Sequence, residues 1–147
     1  MSTTKFKANL EKQIEGTSTQ GNTLLTARAV YNFATDAGAQ ATIVPKITAS
    51  LPKGAVIVGG TVNSILAFTS NGSATLAIGT SAGSSTTSIL GATAKATLSI
   101  NALVNSAATF AAPVKLSAAG NITFTIATAD ATAGLVEVVV LYYVATA

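Results

Sequence analysis

Five carboxylates, Glu11, Glu15, Asp36, Asp130 and Glu137, are the whole acidic complement of a 147-residue chain that contains no histidine and no cysteine. Without those two residue types, Ser-His-Asp and Cys-His constellations, zinc or iron sites ligated by His or Cys, and disulfides are all excluded. A glycosidase needs two carboxylates flanking a cleft. Asp36 and Asp130 fall instead in turns beside alanine and glycine, where aspartate side chains hydrogen-bond local backbone amides. A calcium loop needs clustered carboxylates, and no Asp-x-Asp spacing occurs. Gly79 and Gly83 lack the following lysine and the helix of a phosphate-binding loop. The expectation is a protein that is not an enzyme, with no catalytic residue, no metal, no cofactor and no small-molecule substrate.

Tyr142 and Tyr143 are the remaining candidates for ligand contact. Neighbours in a strand point to opposite faces, so one reads as core and the other as an interface tyrosine with its hydroxyl at a wet rim. The strand that carries them, Leu135–Val144 (LVEVVVLYYV), is the strongest β signal in the sequence. Alternation puts Val136, Val138, Val140, Tyr142 and Val144 on one face and Leu135, Glu137, Val139, Leu141 and Tyr143 on the other. Only Glu137 marks the second face as partly wet. A facing sheet must cover the first face, and another segment or subunit the second, so Val139, Leu141 and Tyr143 are the predicted subunit interface.

The rest of the chain must position that strand. Ala27, Ala29, Tyr31 and Phe33 alternate with polar or larger residues in a first strand that stops at Asp36-Ala37-Gly38. Thr42–Thr48 reads as a second strand, at an edge because of Pro45. Leu51-Pro52-Lys53-Gly54 reads as a turn. Ala55–Thr69 is too long for one flat strand, and Gly59-Gly60 is expected to bend it or to mark a bulge, so that it serves two sheets. Asn71-Gly72 predicts a hairpin between Ile65–Phe68 and Ala74–Ile78. Thr80–Ser88 reads as an exposed, mobile loop, Ile89–Asn105 as irregular structure with a short strand, and Phe110–Leu116, with Pro113, as an edge strand. In Ile122–Ala127 the residues Ile122, Phe124 and Ile126 face inward, and the Asp130–Gly134 turn is expected to return the chain as an antiparallel hairpin. Short strands at short spacing give an all-β class: an antiparallel β-sandwich of jelly-roll type.

Charged residues make up 9% of the chain and aromatic residues 5%, against 49% hydrophobic, where an average soluble domain is roughly 25% charged. Such a chain needs partners or a place in an assembly. The net charge of +3 is spread out, without the clustered cations and aromatic platforms of a nucleic-acid binder. Gly54–Ala94 carries no charge, yet Gly59, Gly60, Asn63, Ser70 and Asn71 break it too often for a membrane helix. Residues 1–24 read as an N-terminal arm and linker and 25–147 as the sandwich domain. The arm has no apolar leader core, so synthesis in a cytoplasm is expected. It is either a solvated tail or a segment that orders on a neighbour, with Lys5, Phe6, Lys7, Leu10 and Ile14 as its contacting residues.

Arg28–Ala39 (RAVYNFATDAGA), Leu51–Gly60 (LPKGAVIVGG), Ala67–Gly79 (AFTSNGSATLAIG) and Ala118–Phe124 (AAGNITF) together resemble small structural proteins of tailed bacteriophages. The resemblance runs from about Leu25 to the end of the sequence and carries no active-site motif. Such proteins are similar to capsid decoration, or cement, proteins. The resemblance implies a β-sandwich on the capsid exterior that bridges subunits of the major capsid protein, stabilises the head, and forms trimers or dimers. Tail and fibre proteins share the same small-residue texture, so the alternative is a module of the tail that binds a host glycan or receptor.

Overall fold

Alternation carries β1 (Leu25–Asn32), which turns Ala27, Ala29 and Tyr31 inward and leaves Thr26 and Arg28 outside. The same pattern buries Ile122, Phe124 and Ile126 in β10 (Gly120–Ala127), and Val136, Val138 and Val140 in β11 (Ala131–Val144). β5 (Ala55–Ser70) adds Ile57, Val62 and Phe68 to this core, and β6 (Thr75–Thr80) adds Leu76 and Ile78. The computed structural model describes residues 23–145. Its remaining elements are short: a helical turn at Phe33–Asp36, β2 (Ala41–Ile43), β3 (Ile47–Thr48), β4 (Ser50–Leu51), β7 (Leu90–Ala94), β8 (Ala102–Asn105) and β9 (Val114–Lys115).

Two antiparallel sheets face each other across the core. The larger runs β3-β1-β11-β5-β8 with β9 also on β5, and the smaller runs β2-β10-β6-β7 with β4 also on β10. Along the chain the pairings are nested: β1 with β11, β2 with β10, β5 with β8, β6 with β7. The molecule is an all-β antiparallel sandwich, folded like one long hairpin rolled so that successive pairs fall in opposite sheets.

Tyr31 ties the layers together. Its ring meets Phe68 edge-on (centroids 6.2 Å, 68°) and leans on Phe124 of the facing sheet (6.0 Å, 34°). Its hydroxyl donates to the Ala37 carbonyl at 2.8 Å. Burial, with the Asp36 charge as a second contribution, pushes its phenol up to about 12.

Two connections differ from the sequence reading. Asn71-Gly72 does not close a hairpin, because β5 and β6 lie in different sheets. The favoured two-residue hairpin needs positive φ at both central residues, and neither Asn71 nor Gly72 has it. Phe68 and Leu76 enter the core from opposite layers, so the chain must cross the sandwich between them. The connection from β10 to β11 crosses likewise: Ile122, Phe124 and Ile126 cover the inner face of β11 by packing, not as its hydrogen-bonded hairpin partner. The Ser70 hydroxyl accepts from Gly72 N (3.1 Å) and donates to the Asp130 carbonyl (2.6 Å), pinning the two crossings together.

Other departures are local. β5 does not serve two sheets; register shifts against β11 leave Val58 and Ile65 as extra residues, and such bulges twist a strand without taking it out of its sheet. Pro45, with no N–H to donate, separates β2 from β3, each at the edge of a different sheet. The segment after Thr80 is held down rather than free, with Thr80 N bonded to Ser85 O and Ser81 N to Asn121 O, both at 2.9 Å, and Ala82 buried. A Cβ on Gly79 would fall on the Ser85 carbonyl. Residues 89–105 hold two strands, β7 and β8, around a turn that buries Leu98. Of Phe110–Leu116 only Val114–Lys115 is strand, at an edge of β5, because Thr109 and Ala112 bond each other in a tight turn.

Tyr31 gives the fold a pH signature. A raised folded-state value means its contribution to stability is complete below about pH 10 and is lost as pH climbs towards 12. Urea midpoints measured across that range should fall less steeply for Tyr31→Phe than for the native chain, while near neutrality the substitution should cost about 1 kcal/mol for the lost hydrogen bond. Gly79→Ala should lower stability by about 1–3 kcal/mol through overpacking, read from the same midpoints.

Candidate functional site

Each carboxylate that the sequence offered as chemistry has a structural task where it is described. Asp36 accepts from Asn32 N (2.9 Å) and Lys46 N (3.0 Å), fixing the helical turn and the chain after β2. Asp130 accepts from Gln40 N at 3.1 Å. Glu137 takes the Arg28 guanidinium. Among the described residues no group of three His, Cys, Asp or Glu side chains could hold a metal ion, and no helix is long and apolar enough to cross a membrane.

The candidate site is therefore a surface, the outer face of the larger sheet. Register defines it row by row. Ile47, Val30, Glu137, Asn63 and Leu103 stand side by side across the sheet. Arg28, Val139, Thr61 and Asn105 form the next row, and Thr26, Leu141 and Gly59 the one beyond. Tyr143, Val56 and Lys115 follow towards the end where β1 begins, and Asn32, Leu135 and Leu66 lie at the opposite end. Leu103 is 67% exposed, Ile47 54% and Leu66 53%.

Val139, Leu141 and Tyr143 thus share one half-buried face, as alternation predicted, and Tyr142 packs inward against the core. The face is less uniformly apolar than β11 alone suggests, because Arg28, Glu137, Asn63, Thr61 and Asn105 draw a polar band across it. Such a mixture suits a non-obligate interface, whose overall apolarity is close to that of ordinary surface. In the Arg28–Glu137 pair the arginine side chain is 55% exposed and the glutamate 23%; with one partner in water the pair contributes under about 1 kcal/mol, and it orients rather than stabilises. Ile47, Leu66 and Leu103 were not singled out in the sequence, since only the register brings β3, β5 and β8 alongside β11. The arm residues Lys5, Phe6, Lys7, Leu10 and Ile14 lie outside the described residues.

Similar folds occur in bacteriophage capsids. A chain in the acid-stable capsid of Helicobacter pylori bacteriophage KHP30 matches with a TM-score of 0.58 at 13% identity, over 84% of this chain and 89% of that one. A chain of the cyanophage Pam1 capsid asymmetric unit matches at 0.55 and 20% identity, over 86% and 88%. A chain of the Ralstonia phage GP4 capsid matches at 0.55 and 14% identity, over 84% and 86%. At these identities the likeness is one of fold. No family model and no curated protein matches the sequence.

The exposed side chains of this face add little to folding. Leu103→Ser should change the unfolding free energy by no more than about 0.5 kcal/mol, whereas Ile122→Ala, in the core, should cost about 2–5 kcal/mol; chemical denaturation measures both.

Proposed function

We propose that this chain is a non-enzymatic structural protein of a bacteriophage virion that binds the capsid exterior across major-capsid-protein subunits and stabilises the head. The observation that carries this reading is the likeness of fold, over nearly the whole of each chain, to chains in three phage capsids. The nested strand pairing supports the jelly-roll form of the sandwich. The outer face supports an assembly role: it joins exposed Ile47, Leu66 and Leu103 to half-buried Val139, Leu141 and Tyr143. A stable contact buries about 800 Å² on each partner, and this face is the natural place for self-association into a dimer or trimer.

In this reading the sandwich spans 25–147, and residues 1–24 form an arm that clamps an adjacent shell subunit through Lys5, Phe6, Lys7, Leu10 and Ile14. The protein is made in the host cytoplasm and resides on the capsid surface. A tail or fibre module binding a host glycan would call for an aromatic platform beside convergent polar groups. The exposed aromatic ring among the described residues is Phe110, in the tight Thr109–Ala112 turn, and it offers no such pocket.

Co-expression with the major shell protein encoded in the same genome tests the assignment. The native chain should sediment with heads and add density to their exterior in cryo-electron microscopy. Leu141→Asp should remain folded yet lose self-association and head loading. A monodisperse monomer at micromolar concentration, together with undiminished loading of Leu141→Asp, would remove the interface assignment. Deleting residues 1–22 should weaken attachment and leave the melting temperature of the sandwich unchanged; equal decoration would reduce the arm to a tail.

A further inference from the structure

Lys53 and Lys115 lie together in the lining of a cleft of about 380 Å³, with Gly54, Leu116, Ser117 and Ala145. Three segments distant in sequence are stitched together at its base. Gly54 N bonds to Leu116 O (3.0 Å), Leu116 N to Ala55 O (2.8 Å), and Ala145 N to Gly54 O (3.0 Å). Gly54 itself has φ of 83°, a conformation that keeps the turn tight and that a side chain would strain. The framework is therefore set before any ligand arrives.

Among the described residues the charge around this cleft is unbalanced. Asp36, Asp130 and Glu137 are each engaged elsewhere, and neither lysine ammonium has a partner among the described residues. Ser117 shares the lining with the two lysines, while glycine, leucine and alanine supply the rest of it. The cleft also continues the outer face already described, because Lys115 stands opposite Val56, and Val56 opposite Tyr143.

Resting on the shell-protein reading above, we propose that this cleft receives an acidic segment of a neighbouring protein subunit. Its aspartate or glutamate carboxylate sits on Lys53 and Lys115, and an adjacent apolar residue rests on Gly54, Leu116 and Ala145. The volume, near the low end of the roughly 300–1,000 Å³ of small-molecule sites, suits one or two side chains. A nucleic-acid strand would ask for a track of cations with aromatic platforms, and this lining has no ring. The charge contact fixes the orientation in which a partner lands on the Val139–Leu141–Tyr143 surface, which is what charged contacts at an interface do best.

The test needs no heads. Isotope-labelled protein is titrated with acetyl-Glu-Leu-Glu-Val-amide, with its glutamine counterpart acetyl-Gln-Leu-Gln-Val-amide, with inorganic phosphate and with a short oligothymidylate, following the amides of Gly54, Ser117 and Ala145. Saturable shifts with the acidic peptide alone are expected. Lys53→Gln and Lys115→Gln should each weaken that binding about three- to fivefold without altering the melting temperature. An equal response to the glutamine peptide or to phosphate, tighter binding of the oligothymidylate, or no response at all overturns the proposal. Head loading separates this failure from that of the assembly role. If the native chain and Lys53→Glu/Lys115→Glu load equally, the cleft assignment falls and the shell role stands; if the native chain does not load, the shell role falls and the peptide titration still judges the cleft.

Discussion

Strand β11 is hydrogen-bonded along both of its edges, to β1 and to β5. A strand in that position must suit the pleated backbone at every residue, not only at the inward ones, so β-branched, aliphatic and aromatic side chains are favoured on both faces. The inward set, Val136, Val138 and Val140, is fully buried. Glu137 apart, the outward set is left apolar by the same backbone demand, and water cannot be its preferred neighbour. The core and the candidate interface are two faces of one requirement, and β1, β5 and the facing β10 take their places from it.

Where the chain would be extended was legible in the sequence, because a period of two is a local property. Ile122, Phe124 and Ile126 declared their buried face, as did Ala27, Ala29 and Tyr31. Which strand would pair with which was not legible. A turn that returns a strand beside its predecessor and a turn that carries it over to the opposite sheet both join two alternating runs through small polar residues. Asn71-Gly72 looks like the first and acts as the second, since what decides is the core that Phe68 and Leu76 share from opposite layers. The Ser70 hydroxyl on the Asp130 carbonyl, which fastens this crossing to the next, spans sixty positions in sequence and leaves no local trace.

The surface was legible only in part, for the same reason. Val139, Leu141 and Tyr143 could be placed on one face from β11 alone. Ile47, Leu66 and Leu103 join them through register, a tertiary property, and each looks unremarkable in its own short segment. The polar band from Arg28 to Asn105 was hidden likewise, and so was the meeting of Lys53 with Lys115. That meeting depends on a turn before β5, an edge strand and the end of β11 exchanging backbone hydrogen bonds. Asp36 was easier, because a carboxylate in a turn caps backbone amides close at hand, as it does with Asn32 N; Asp130 was not, since the amide it takes, Gln40 N, lies ninety positions away in sequence.

Leu25 lies directly opposite Tyr142, so the chain enters and leaves the sandwich at one corner, on adjacent antiparallel strands. That arrangement makes the molecule mechanically two-sided. Tension applied between Thr23 and Ala145 pulls at one end of the β1–β11 ladder and peels its eight registered pairs apart in succession. Tension applied through Thr23 alone, with the body gripped by its sheet face, pulls β1 along its own axis, and the whole ladder resists in shear. A protein fastened to a surface by its face and tethered through its first strand is thereby loaded in its stiff direction, and a pull on both chain ends opens it like a zip.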